Sequence, residues 1–168
     1  MSSYSNICFY GGGAWGQALA ITLASLGNKS TLIVSDKFRE VDINNHVSKR
    51  FPQAKLSPLI KASIDKRQII KGCDLIFITT ESKRVLDTIN QIALLSNKNI
   101  HVVITSKGFA TSKGETFSEV VESDFPNMNL SILTGPTFAD EIANNQPAAA
   151  VIANKVIEQA NSISKLFH

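Results

Sequence analysis

The chain has 168 residues, 43% of them hydrophobic and 18% charged, enough for one globular domain with a proper core. Its net charge of +3 comes from scattered basic residues, not from a Lys/Arg block interleaved with aromatics, which argues against nucleic-acid binding and favours an anionic small molecule only weakly. No apolar run approaches the ~18 residues of a membrane span, the opening "MSSYSN" is not a signal peptide, and Cys8 and Cys73 lack CxxC spacing, so they read as buried free thiols in a reducing cytoplasm, with no zinc site or disulfide framework.

In chain order, "ICFY" (7–10) is predicted as a buried strand. Gly11-x-Gly13-x-x-Gly16 follows it and opens a helix over 14–27, with Leu19, Leu23 and Leu26 at helical spacing and Gly27 as its stop. In this setting the first glycine permits a tight turn, the second lets backbone approach a pyrophosphate, and the third lets the helix pack closely on the sheet. The helix N-terminus then offers unpaired N–H groups and a positive dipole end to the phosphates. Gly12 adds looseness that this fingerprint does not require.

"STLIV" (30–34) is the next strand, and Asp36 stands at its end, about 20 residues beyond Gly16. Asp36 is either an acid that reads the ribose of a dinucleotide or the N-cap of the next helix. An acid there favours NAD, whereas Lys37 and Arg39 nearby would offset that for NADP. The segment 36–71 holds Pro52 and Pro58 and reads as a helix, an extended loop and a short strand near Ile64.

"DLIFITT" (74–80) is a strand and "SKRVLDTINQIALL" (82–95) a helix, with Glu81 and Lys83 either lining a cleft at the strand end or solvated in a loop. "IHVVIT" (100–105) places Lys107 at the carboxyl end of another strand, where open α/β sheets bind ligands and where a lysine meets a phosphate or polarises a carbonyl oxygen. After the strand "LSILT" (130–134), Gly135-Pro136 makes a turn, and Thr137-x-x-Asp140 resembles a capping box for a helix starting at Phe138. "AAAVIA" (148–153) is a further strand and 156–168 a closing helix. His46 and His101 have no metal-ligand spacing and read as surface or packing residues; no metal site is expected.

Strands apolar on both faces, joined by helices, imply an α/β fold: a Rossmann-like, doubly wound, mainly parallel sheet with helices on both faces, forming a single dinucleotide-binding domain over 1–168.

Four motifs in this order, "GGGAWGQALA", "INNHVSKRFPQAKLSPLIKAS", "SKGF" and "GPTFADEIA", resemble the N-terminal domain of bacterial-type NAD(P)-dependent glycerol-3-phosphate dehydrogenase over about residues 6–160. The resemblance implies that Gly11, Gly13, Ala14, Trp15 and Gly16 surround the cofactor pyrophosphate and that Phe51 lies near the cofactor. It also implies that Lys107 touches cofactor and substrate, Gly135 and Thr137 the substrate, and Ala139 the cofactor. The reaction implied is hydride transfer between C2 of sn-glycerol 3-phosphate and C4 of the nicotinamide. Its product is dihydroxyacetone phosphate, and the reverse direction feeds phospholipid synthesis.

Two stretches depart from the family. Ile78-Thr79-Thr80-Glu81 stands where the family commonly has a proline with a small residue, and Ser35-Asp36 where it has an arginine, which slightly favours NAD over NADP. In the family a helical C-terminal domain follows and supplies the lysine general base. No catalytic residue is therefore expected within these 168 residues, only dinucleotide binding without turnover. The expected partners are a phosphorylated small-molecule substrate and that second domain or a separate chain carrying it, with a homodimer left open. Two other readings stand beside this one: a related β-hydroxyacid or ketopantoate-type dehydrogenase, which should lack "SKGF" and "GPTFADEIA" together, and a stand-alone dinucleotide-binding or redox-sensing module.

Overall fold

The strands β1 (Ile7–Tyr10), β4 (Leu75–Ile78) and β5 (His101–Ile104) are buried at every residue, so both of their faces need cover. The computed structural model describes residues 4–96 and 99–168 and shows how that cover is built. These strands join β2 (Ser30–Ile33), β3 (Ile60–Ser63), β6 (Asn129–Thr134) and β7 (Val151–Ala153) in one sheet of order β3-β2-β1-β4-β5-β6-β7. Every neighbouring pair from β3 to β6 is parallel, and β7 runs antiparallel to β6.

The alternation of side chains across each strand splits the core in two. On one face Phe9, Leu32, Phe77, Val103 and Leu133 pack with Leu19 and Leu23 of α1 (Ala14–Ser25) and with Ile163 of α7 (Ile157–Ser164). Phe9 and Phe77 stack across β1 and β4 with centroids 5.0 Å apart. On the other face Tyr10, Ile33, Ile76, Ile78, Val102 and Ile104 meet α3 (Lys66–Gly72), α4 (Val85–Leu95) and α5 (Phe117–Asp124) through Ile70, Ile89 and Val121. Each such side chain, fully buried, contributes about 1.5–3 kcal/mol relative to exposure. Seven of the twelve residues of α1 are buried, because it lies between the sheet and α6 (Ala139–Ala143). Its alanines, Ala18, Ala20 and Ala24, allow that close approach. Gly27 ends α1 in a left-handed conformation, φ +82°, as expected of a helix stop.

The doubly wound α/β architecture agrees with the sequence reading, and several details correct it. The short strand expected near Ile64 is Ile60–Ser63, and Ile64 is exposed beyond it. Two helices lie where none was expected: α3, capped by the Asp65 carboxylate accepting from the Gln68 N–H at 3.0 Å, and α5, opened by a reciprocal capping box between Thr116 and Glu119. The strand expected as one more buried member of the parallel set is the short antiparallel edge β7, with Val151 62% exposed.

Cys8 and Cys73 are buried free thiols, as expected. A hydrogen bond between them, then burial, pushes the Cys73 thiol far above its usual range. His101 is a packing residue: Nδ1 meets the Tyr4 hydroxyl at 2.6 Å and Nε2 the Ser131 hydroxyl at 2.8 Å, and burial pulls its pKa down to about 4. Among the described residues no helix is long and apolar enough to cross a membrane.

Candidate active-site cleft at the switch point

Strand order reverses at β1, with β2 on one side and β4 on the other, so the loops leaving their carboxyl ends diverge and open a crevice. The glycine turn fills the start of that crevice. Gly11 holds φ +126°, and its N–H donates to the Ile33 carbonyl at 3.1 Å. A Cβ at Gly16 would stand 2.1 Å from the Gly11 carbonyl oxygen, so only glycine lets α1 start this close to the turn. Gly12 does more than add looseness: a Cβ there would meet the Val34 side chain, Cγ1 at 2.4 Å, which would have to shift.

Gly13 differs from these. A Cβ built on it meets nothing within 4 Å, so the turn presents bare backbone to open space at this point. Gly13 is the N-cap of α1, no side chain caps that helix, and its first turn carries no acidic residue. The leading N–H groups of α1 and the positive end of its dipole are therefore left for an exogenous anion. A dinucleotide pyrophosphate has the chemistry that fits.

Gln17 and Ser48, which sequence reasoning did not single out, help hold this turn in place. The Gln17 side chain donates to the Gly12 carbonyl at 2.9 Å, the Ser48 hydroxyl donates to Gln17 Oε1 at 2.6 Å, and the Phe51 N–H donates to Ser48 Oγ at 2.9 Å. Gln17, Ser48 and Phe51 are all buried. On the other side the Thr79 hydroxyl lies 2.8 Å from the Gly11 carbonyl and 3.2 Å from that of Tyr10, tying the end of β4 to the turn. Phe51, expected near the cofactor, is wholly buried behind the turn, packed with Ala18 and Ala143 and against Ala14 and Ala139. It shapes the site through those alanines, with no ring surface facing outward.

Asp36 sits at the end of β2 and is the N-cap of α2 (Lys37–Asn44): Oδ1 accepts from the Arg39 N–H at 2.8 Å. That hydrogen bond, ahead of the nearby Arg39 charge, holds its exposed carboxyl below the usual range. The cap reading of Asp36 is thus realised.

Trp15, Thr80, Glu81, Lys107, Gly135 and Thr137 converge on a cleft of about 300 Å³ beyond the ends of β4, β5 and β6. Thr105 and Ser106 shape its floor by donating to the carbonyls of Ile78 at 2.7 Å and Thr80 at 2.6 Å. Lys107 stands exposed at the rim. Glu81 is exposed and paired with Lys83 at 2.9 Å, and the hydrogen bond from Lys83 holds its carboxyl below the usual range; Glu81 lines the cleft, whereas Lys83 lies outside it. Trp15 Nε1 and Thr80 Oγ1 are buried here with no hydrogen-bond partner among the described residues. Thr137 is buried but does not cap α6. The N-cap is Phe138 without a side-chain bond, so the expected Thr137/Asp140 capping box is not formed. No cluster of metal-ligating side chains occurs among the described residues.

Comparison with known proteins agrees with this geometry. The family model described as NAD-dependent glycerol-3-phosphate dehydrogenase N-terminus matches residues 6–160. A Glycerol-3-phosphate dehydrogenase [NAD(P)+] of Francisella tularensis subsp. novicida is 34% identical over 167 residues, covering 96% of this chain and 50% of the relative. The same enzyme of Brucella canis is 30% identical over 166 residues, covering 96% of this chain and 49% of the relative. The crystal structure of glycerol-3-phosphate dehydrogenase from Coxiella burnetii superposes with a TM-score of 0.81 at 24% identity, covering 98% of this chain and 51% of that one, which supports the fold. The chain spans about half the length of the curated relatives it matches.

Proposed function

Because the chain belongs to the family of NAD-dependent glycerol-3-phosphate dehydrogenase N-termini, we propose that it is the dinucleotide-binding half of an enzyme interconverting sn-glycerol 3-phosphate and dihydroxyacetone phosphate. The observation that carries this reading is the uncapped N-terminus of α1, with open space at Gly13, next to a cleft that gathers Trp15, Lys107, Gly135 and Thr137. Gly11, Gly13, Ala14, Trp15 and Gly16 hold the pyrophosphate, Asp36 reads the adenosine ribose, and Ala139 and the buried Phe51 back the cofactor from α6 and the loop behind it. Bound NAD or NADP supplies the hydride acceptor or donor at C4 of its nicotinamide.

Lys107 provides positive charge at the rim, where it meets the phosphorylated substrate and the cofactor. Gly135 and Thr137 form the neighbouring wall with backbone and a hydroxyl. The proton of the C2 hydroxyl is taken by a lysine of a second, helical half, which also closes the cleft against water. These 168 residues then bind dinucleotide without turning over substrate. We place the enzyme in the cytoplasm, feeding glycerophospholipid precursors. Its partners are the second half and, as light scattering would read, a second copy of the chain.

Trp15 is the only tryptophan and lies in the turn, so titration with NADH tests the site directly. Saturable quenching of its fluorescence is expected. Absence of binding by both NADH and NADPH would overturn the reading.

A further inference from the structure

The fold brings the chain's two cysteines together, although the dinucleotide site uses neither. Cys8 lies on β1 beside Ile76 of β4, and Cys73, the C-cap of α3, stands just before β4 begins. Both pack with Ile70 and Ile76, and their thiols are hydrogen-bonded to each other. Cys73 is wholly buried, with Sγ 3.0 Å from the Leu75 carbonyl oxygen and 3.5 Å from that of Asn6, in the seam between the two strands. Cys8 instead lines a cavity of about 510 Å³ at the amino ends of β1, β2 and β3, the end of the sheet opposite the glycine turn. Asn6, Lys29, Thr31, Lys61 and Gln68 share the lining, so the cavity is polar and suits water and small polar oxidants. Cys8, Thr31 and Lys61 occupy matched positions of β1, β2 and β3 and so point to one face of the sheet.

We propose that Cys8 and Cys73 form a redox pair in which a hydroperoxide entering the cavity oxidises Cys8, and Cys73 resolves it to an intrachain disulfide. Cys8 loses its proton, its sulfur attacks one peroxide oxygen, and the O–O bond breaks. The other oxygen leaves with that proton as water or an alcohol, and Cys8 is left as a sulfenic acid. The Cys73 sulfur then attacks the Cys8 sulfur. The S–O bond breaks, and the hydroxide departs as water with the Cys73 proton. Together the two sulfurs lose two electrons and the peroxide gains two. Cys73 lies outside the β4 ladder, so it closes on Cys8 without breaking a strand pair. Thiols reverse the bridge, as suits a transient disulfide in a reducing compartment. Neither step needs a bound dinucleotide.

The test is hydrogen peroxide treatment of the folded 168-residue chain, followed by thiol counting, intact mass and peptide mapping. The sequence has only these two cysteines, so no other thiol contributes. Both thiols should be lost together, with a mapped peptide pair joining Cys8 to Cys73, and dithiothreitol should restore both. In C73S, a dimedone adduct should mark the sulfenic acid at Cys8. In C8S, Cys73 should stay a free thiol, because it is wholly buried. Melting curves show whether each variant is folded, and the bridge mapped in the unmodified chain needs no variant. Survival of both thiols at peroxide doses that oxidise the chain's own methionines would overturn the proposal. So would a bridge formed only between two chains, or Cys73 oxidised as fast in C8S as Cys8 is in C73S.

Discussion

The β1–α1 turn and the β6–α6–β7 region both face the cleft, yet they are built differently. The turn is fixed from every side: Gly11 is held to β2 and to Thr79, Gly12 to Gln17, Gln17 to Ser48, and Ser48 to Phe51. Beyond β6 the elements are short and exposed. The five-residue α6 has no side-chain cap, Phe138 is 67% exposed, and β7 is an edge strand with one hydrogen-bonded neighbour. The contrast separates two tasks. In the proposed function a pyrophosphate is gripped by backbone, and backbone has to be placed before the ligand arrives, which a turn fixed in this way achieves. The wall carrying Gly135 and Thr137 is held by packing instead: Ala139, Ile142 and Ala143 of α6 pack with Ala18 and Phe51, and a Cβ on Gly135 would stand 2.5 Å from the Ala149 carbonyl oxygen.

Substitutions can break this contrast in graded steps. The largest effect is expected at Gly16: an alanine there places its Cβ against the Gly11 carbonyl, pushes α1 off the turn, and costs about 3 kcal/mol in denaturant unfolding along with dinucleotide binding. Gly13→Val should separate those two outcomes. Its Cβ meets no atom within 4 Å, so stability should stay within about 1 kcal/mol, while a branched side chain where phosphate oxygens are proposed to approach should lower affinity by about 100-fold or more in the Trp15 titration. Equal loss of stability at both glycines would mean that the turn is not the fixed element described here.

Thr79→Val removes the hydroxyl shared by the carbonyls of Tyr10 and Gly11 and should cost about 1–2 kcal/mol, read as a shift in unfolding midpoint. At the opposite end of the sheet His101 gives a pH signature. Its folded pKa of about 4 lies below the ordinary value of 6.5, so the unfolded chain binds more protons between them. Stability should therefore fall as pH drops from 6.5 toward 4, and His101→Gln should flatten that part of the profile. The smallest contrast concerns the two threonines. Thr116→Ala, losing a formed cap, should cost about 1 kcal/mol, and Thr137→Ala less, because Thr137 caps nothing.

What could be read from sequence follows the range of the interactions involved. Strands buried on both faces announce themselves as unbroken apolar runs, and the glycine spacing announces the turn, so the sheet and half of the site were legible. The helices α3 and α5 were hidden because "KRQIIKG" and "FSEVVESD" each bury only one or two side chains, leaving no apolar period to detect. Their readable traces were the caps, Asp65 before Gln68 and Thr116 before Glu119. The antiparallel sense of β7 was not legible, because "AAAVIA" has the composition of a buried parallel strand and only its neighbours set its direction. The Thr137-x-x-Asp140 spacing misled because the chain stays extended through Phe138, one residue later than the pattern implied. The ties that Ser48 and Thr79 make to the turn were not legible because their partners lie 31 and 68 residues away, a separation no local pattern records.

The indole N–H of Trp15 and the hydroxyl of Thr80, buried in the cleft without partners among the described residues, have a calorimetric consequence. Each unsatisfied polar group of this kind costs about 1–3 kcal/mol. A bound molecule that offers either group a partner is held more tightly by the folded chain than by the unfolded one, and so raises the melting temperature through mass action. At a ligand concentration 100 times Kd that linkage is worth about 2.7 kcal/mol. A thermal-shift screen of dinucleotides, their nicotinamide halves and small phosphates would therefore rank the natural occupants of this cleft without any need for turnover.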